Sequence, residues 1–303
     1  MDELRLGQFL TSHIGAPVEV HNSSRFASSY SRVSYAVDTS AGRFIIRLEH
    51  GDAPRMSSAD EFQLMQSLQD VGFPVANARW VEPTGDFLGG PFVVVDHPEV
   101  RSVDQQAVDE TAAAAFVTTL ARLHRLDVSA HLPAVDSTQA THIQIERWRT
   151  VGKSVGGPRV PFIDTVEIWL HQNVPLGNQV ALVHGAARPG NIVVSDGEAV
   201  SMSEWDTAHV GDPAEDWAYY LATRGVPTSS RQLWVGLFER EAGVCLSTQQ
   251  WRYWEAFNLY KKACMNRACL ALFESGVDSS PSQAIAGTAE YHSFLLRLMH
   301  IVE

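Results

Sequence analysis

Between Leu182 and Asp216 the chain alternates short apolar runs with a dense set of polar residues. Leu182-Val183 leads into His184-Gly185-Ala186-Ala187-Arg188-Pro189-Gly190-Asn191, and Ile192-Val193-Val194 follows. Asp196-Gly197 turns the chain. Ser203-Glu204-Trp205-Asp206 and Gly211-Asp212-Pro213-Ala214-Glu215-Asp216 close the segment. The pattern predicts strands flanking a polar loop, then a hairpin ending in carboxylates. Such a segment presents several polar groups to one ligand, so the rest of the chain must fold around a site here.

The N-terminal part reads as a small sheet with one helix. Residues 1–15 predict a short amphipathic helix with Leu4, Leu6, Phe9 and Leu10 on its apolar side. Val33, Tyr35 and Val37 alternate with Ser34, Ala36 and Asp38, a strand signature. Ser40–Gly42 is a turn, and Phe44–Leu48 a strand that is apolar except for Arg47. Ser58 and Glu61 read as a capping box opening a helix, with Phe62, Leu64, Met65, Leu68 and Val71 inward and Gly72 at its end. Residues 78–81 and Phe92–Val95 complete the strands of a first lobe, residues 1–97. Helical spacing dominates a second lobe, residues 98–303, at 104–126, Ile145–Trp148, Val166–Gln172, 214–223 and 247–301. The class is α+β.

Composition narrows the partners. The 303 residues are 45% hydrophobic and 19% charged, enough for a sizeable core. A net charge of -12 repels phosphate backbones, which argues against nucleic acid and favours cationic small molecules. Cys245, Cys264 and Cys269 match no metal spacing and read as reduced thiols. The acidic N-terminus resembles no signal peptide, and no run approaches ~18 apolar residues, so a cytoplasmic protein off the membrane is expected.

Residues His184, Gly185, Arg188, Pro189, Gly190, Asn191, Trp205, Ala208, His209, Gly211, Asp212, Pro213 and Asp216 resemble the aminoglycoside-phosphotransferase and choline-kinase-like family. Within it they are similar to the branch whose loop reads His-Gly-Asp-Phe-Arg-Pro-Gly-Asn. Gly90–Val95, Leu120–His124 and Ile145–Trp148 extend the likeness over nearly the whole chain. The resemblance implies a protein-kinase-like two-lobed fold, with ATP and Mg²⁺ as cofactors and a hydroxyl-bearing small molecule as substrate. It places Ser28, Ser29 and Ser31 over the phosphates, Arg47 as their grip, Glu61 as the helix carboxylate paired with it, and Asn191 and Glu204 on the metal. It gives Asp216 and His184 loop-holding roles, and leaves Arg188 and Asp206 as cleft groups.

The departures fall on that machinery. The family's base is an Asp where this chain has Ala186, and a methyl group neither accepts nor orients a proton. Glu204 stands for an Asp on Mg²⁺, one methylene longer in a site that demands near-octahedral geometry. Ser28-Ser29 stands for paired glycines, restricting backbone approach to phosphate. Two readings follow. One is a degenerate, pseudokinase-like protein that binds, or acts differently on, a small molecule in the old cleft, with natural-product metabolism as one setting; Glu204, Asp206, Arg188 and His184 are then the residues to test. The other is a working ATP-dependent O-phosphotransferase, because positioning and charge carry much of phosphoryl transfer. His209 reads as a packed loop residue, Lys261-Lys262 as a solvated helix face, and the tryptophans as core residues with satisfied N–H groups.

Overall fold

The computed structural model describes residues 1–98, 110–127, 135–157, 159–177, 179–224 and 228–303. Helix α1 (Glu3–Ile14) precedes strands β1 (Val20–Ser28), β2 (Arg32–Thr39) and β3 (Gly42–Glu49), then α2 (Ser58–Asp70), β4 (Ala78–Glu82) and β5 (Phe92–Asp96). The five strands form one antiparallel sheet in the order β1-β2-β3-β5-β4. Alternation places the residues of β5 on opposite faces. Phe92 and Val94 pack with Leu6, Phe9 and Leu10 of α1, while Val93 and Val95 pack with Met65 and Leu68 of α2. The sheet is thus covered on both sides, which explains the unbroken apolar run Phe92–Val95.

Several local expectations shift. Leu4 is 75% exposed, so the apolar side of α1 starts at Leu6. The cap of α2 is Ser57, whose hydroxyl accepts from the Asp60 amide; Ser58 lies inside the helix. Glu61 is thereby released from capping and turned into the protein, where it is fully buried. Strand β1 carries no apolar alternation because it is an edge strand with much of its length exposed.

The second lobe comprises α3 (Glu110–Leu123), α4 (Ser137–Ser154), α5 (Pro161–Gln172), β6 (Ala181–Val183), β7 (Ile192–Ser195), β8 (Glu198–Met202), β9 (His209–Gly211), α6 (Ala214–Thr223), α7 (Thr228–Ala242), α8 (Thr248–Glu274), short α9 (Pro281–Ile285) and α10 (Tyr291–Val302). The expected start of α3 at 104 lies outside the described residues. Helix α8 is the axis of this lobe. A capping box of Ser247 and Gln250 opens it, and α4, α5, α6 and α10 pack around it. Its sides bury Tyr253, Trp254, Phe257 and Tyr260. A second core runs from α2 and β5 through Phe116 and Leu120 of α3 to Ile192, Met202 and Trp205. The Met202 amide donates to the Pro74 carbonyl at 2.8 Å, stitching the lobes together behind the cleft.

Candidate active site

Strands β6 and β9 pair, as do β7 and β8, and these two ribbons carry the polar loop and the carboxylate segment. The β7–β8 turn places both Asp196 (φ 52) and Gly197 (φ 82) in the left-handed region, the geometry that Asp-Gly hairpins favour. Asp216, at the start of α6, holds the loop from below. Its Oδ2 accepts from the His184 amide at 2.7 Å and its Oδ1 from the Gly185 amide at 2.8 Å. His124 Nε2 lies 3.0 Å from the same carboxylate. Burial pushes the Asp216 pKa up, but the bonds and charge of His124 and the loop amides outweigh it and hold it below the usual range. Gly185 has φ 78, and a Cβ there would sit 2.5 Å from the Thr207 carbonyl, so only glycine fits.

His184 is fully buried, with both ring nitrogens engaged. Nε2 lies 2.9 Å from the Ser203 carbonyl, and Nδ1 accepts from the Ala186 amide at 3.2 Å, which makes Nε2 the protonated nitrogen. Burial lowers its pKa despite Asp216 nearby. A neutral imidazole with no free nitrogen is a loop holder and offers no general base.

The residues assigned to phosphate and metal converge, but on one another. Arg47 on β3 is 6% exposed. Its Nε donates to Glu61 Oε1 at 2.8 Å, its Nη1 to Glu204 Oε1 at 2.7 Å and its Nη2 to Asp206 Oδ1 at 3.3 Å. Burial disfavours its charge, but Glu204, Glu61 and Asp206 together raise its pKa, so the guanidinium stays charged. Asp206 is buried and its Oδ2 accepts from Ser31 Oγ at 2.6 Å. Burial alone would raise its pKa; Arg47 and Arg32 bring it below the ordinary value. Glu204 sits at φ 70, a strained setting for a non-glycine residue, held by the Arg47 bond and by Trp205 next to it, whose Nε1 donates to the Met202 carbonyl at 2.9 Å.

Arg32 is the member that sequence reasoning missed. It is 1% exposed, and its Nε donates to Glu61 Oε2 at 3.2 Å while Nη2 donates to the Met56 carbonyl at 2.7 Å. Glu61 therefore bridges two arginines. An arginine at a strand start beside two serines gave no signal of burial; only the fold turns it inward.

The Mg²⁺ ligand pair fits poorly. Asn191 Nδ2 donates to the Ala186 carbonyl at 3.0 Å, and its Oδ1, the atom a metal would need, accepts from Arg188 Nε at 2.8 Å. Glu204 gives Oε1 to Arg47. A divalent cation between these two oxygens would face two guanidinium groups, which must be displaced or screened before it could bind there.

Ser28 and Ser29 lie in the β1–β2 hairpin at the mouth of the cleft, tied to the second lobe. Ser28 Oγ donates to Asp278 Oδ2 at 2.7 Å, and Gln283 Nε2 donates to Ser28 Oγ at 2.8 Å and to the Ser29 carbonyl at 3.1 Å. Arg25 adds an ion pair to Asp278. His50 Nε2 lies 2.8 Å from the same Ser29 carbonyl. The hairpin is thus bridged to the segment after α8. Beneath it is a cleft of about 290 Å³, lined among others by Tyr30, Ala186, Arg188, Glu204, Asp206 and Asn266.

Two surface expectations are corrected. Lys261 is fully buried on α8, its Nζ donating to Glu215 Oε1 at 2.5 Å and to the Gly185 carbonyl at 2.6 Å. An ammonium inside a helical core survives because a carboxylate and a loop carbonyl meet it there. His209, packed as expected, lies 3.1 Å from the other oxygen of Glu215. Nε1 of Trp148 and of Trp254 finds no partner among the described residues; Trp254 is held by packing, and Trp148 also has the Arg147 guanidinium 5.0 Å from its ring centroid.

A family model described as "Phosphotransferase enzyme family" matches residues 23–256. The chain belongs to this family. Among curated proteins it is 22% identical over 293 residues to acyl-CoA dehydrogenase family member 11 of Mus musculus, covering 85% of this chain but 37% of that protein. The chain thus spans little more than a third of that relative. Among solved structures, one assigned as an aminoglycoside phosphotransferase from Ralstonia eutropha is 19% identical, with TM-score 0.69, covering 99% of this chain and 98% of its own. A thermostable mutant of aminoglycoside phosphotransferase APH(4)-Ia, in a ternary complex with AMP-PNP and hygromycin B, is 12% identical with TM-score 0.67, covering 98% of this chain and 97% of its own. These likenesses establish a kinase-like α+β fold. No described helix is long and apolar enough to cross a membrane.

Proposed function

We propose that this chain binds a small molecule in the cleft between residues 1–97 and 98–303 and does not run metal-dependent phosphoryl transfer there. The observation that carries the reading is Arg47, whose guanidinium keeps the helix pair with Glu61 that a working kinase also has but is bonded in addition to Glu204 and Asp206. In a phosphotransferase the corresponding cation faces phosphate and the carboxylates face metal. Here the two sets neutralise each other. Ala186 removes the base and Arg188 takes the Asn191 oxygen, so three separate parts of transfer chemistry lack a free group. Calorimetry with ATP and Mg²⁺ tests this directly. Absence of saturable binding in the micromolar range is expected, and tight, Mg²⁺-dependent binding with turnover would refute it.

The second reading, an active O-phosphotransferase, is favoured by one feature: the loop scaffold of Asp216, His184 and Gly185 is intact. Under it, ATP and Mg²⁺ are cofactors and Arg47 releases Glu204 when they bind. ATP consumption with hydroxyl-bearing small molecules separates the two.

A further inference from the structure

Cations gather along the wall that the cleft shares with a neighbouring cavity, in a chain whose net charge is -12. Arg188, Tyr219, Lys262 and Glu290 line both the interlobe cleft and an adjoining cavity of about 600 Å³, so the two spaces share a wall. Arg224 and Arg297 line the second cavity as well. Arg297 is already paired, lying 3.3 Å from Glu255. The other three cations are not. Among the described residues, no carboxylate lies within ion-pair distance of Arg188, Arg224 or Lys262. Among the described residues, the Arg188 side chain bonds only the neutral Asn191 amide. Burial and, after it, the neighbouring Arg188 charge lower the Arg224 pKa, and Glu290 in the same wall offsets this only in part. An acidic protein that clusters unpaired cations at one cavity creates a local attraction for anions against its own overall field.

A second feature points to a ligand. Tyr30 and Asn266, 2% and 1% exposed, line the cleft, and the Tyr30 hydroxyl and the Asn266 amide nitrogen have no hydrogen-bond partner among the described residues. Burial, with the Asp206 charge adding to it, pushes the Tyr30 phenol up to about 12, so it stays protonated and can donate. Both atoms are donors awaiting acceptor oxygens.

We infer that the small molecule this cleft takes is an anion, bearing a carboxylate or phosphate group held by Arg188, Arg224 and Lys262, with neutral oxygens directed to Tyr30 and Asn266. This rests on the proposal that the cleft binds a small molecule, and it replaces the cationic ligand that net charge alone suggested. Guanidinium groups match the fork of carboxylate and phosphate oxygens, while Lys262 supplies a point charge.

The test uses inorganic pyrophosphate as probe, titrated calorimetrically into the full chain at low salt without nucleotide or magnesium, with spermidine as the cationic counterpart. Saturable pyrophosphate binding that weakens with added salt is expected, and no binding of spermidine at the same cavity. The double variant Arg224→Gln/Lys262→Gln is expected to lose at least tenfold in affinity at an unchanged melting temperature, since neither side chain is fully buried. No pyrophosphate binding, equal binding by the double variant, or spermidine competing with pyrophosphate would each overturn the inference. An ATP and Mg²⁺ titration of the same two proteins reports on the proposed loss of transfer separately. Tight nucleotide binding by both would refute that proposal while leaving the pyrophosphate comparison to stand or fall by itself.

Discussion

Replacing Lys261 by Met tests whether the loop that carries Ala186 is held from beneath by a buried charge. The side chain is 0% exposed and bonds Glu215 at 2.5 Å and the Gly185 carbonyl at 2.6 Å. Lys261→Met keeps the length and apolar stem but leaves Glu215 in the core with His209 as its remaining partner. Removing one member of a buried pair costs about 3–5 kcal/mol, because the survivor keeps its desolvation penalty. At roughly 2–4 °C per kcal/mol for a large domain, the melting temperature should fall by about 6–20 °C. The double variant Lys261→Met/Glu215→Gln removes both charges and should recover most of the loss. The pH dependence has a definite sign. Burial would raise the Glu215 pKa, but Lys261 and His209 bring it below the ordinary value in the folded state. Its contribution is therefore full above the unfolded carboxylate pKa and is lost as pH falls through the lower, folded value. In Lys261→Met that contribution is largely gone, so the deficit against wild type should shrink as pH falls through the carboxylate range. Thermal and urea unfolding from pH 4 to 8 measure all three proteins. A single variant within about 1 kcal/mol of wild type, or a double variant no better than the single, would refute the reasoning.

Ala186→Asp alone should give no ATP turnover above background. Adding Ser28→Gly, Ser29→Gly and Glu204→Asp should be required before the base contributes its ~10²–10⁴-fold, since these parts act as a unit; strong rescue by the single change would show the nucleotide and metal sites to be competent. Asp278→Asn should loosen the β1–β2 hairpin, raising amide exchange between Arg25 and Arg32 by roughly tenfold, about 1.4 kcal/mol of local opening, and unchanged exchange there would exclude the latch. Burial raises the Asp278 pKa but Arg25, Ser28 and Gln283 depress it overall, so in wild type the hairpin should stay closed until the pH falls well below the carboxylate range. Asp216→Asn should cost about 3 kcal/mol by weakening charged bonds to the loop amides, and by the sign of its depressed pKa the deficit against wild type should shrink in strong acid; a constant deficit down to pH 2 would point to packing instead.

The sequence was informative where a residue's job is local. Asp196-Gly197 announces its hairpin because two positive φ values suit few other pairs. Phe92–Val95 announces a strand buried on both sides. The ordered set from His184 to Asp216 carried the family because those residues hold one another through short loops. What stayed hidden was decided by distant elements. Lys261 looks like half of a solvated pair, and only the arrival of Glu215, 46 residues away, makes burial tolerable. Arg32 gains its role from Glu61 and Met56. β1 is a strand because β2 offers it an edge, since its own side chains show no alternation.

The same distinction bears on the charge of the interlobe cleft. Glu61 with Arg32 and Arg47 is charge-rich, and adding Glu204 and Asp206 gives three carboxylates on two guanidinium groups. That cluster carries one excess negative charge, so it disfavours a phosphate in its midst unless metal enters with it. The metal position, however, is flanked by Arg47 and Arg188. On the proposed reading, each half of a magnesium nucleotide is opposed by the half of the site meant to receive the other. The unpaired cations lie elsewhere, toward Arg224 and Lys262, where neither buried carboxylate is in ion-pair reach. Polarity in this cleft is therefore divided, with a net-acidic, internally paired centre under the hairpin and a wall of unpaired cations beyond Arg188. A ligand complementary to it carries its negative charge away from Ala186, the reverse of what transfer from a nucleotide at the hairpin would demand.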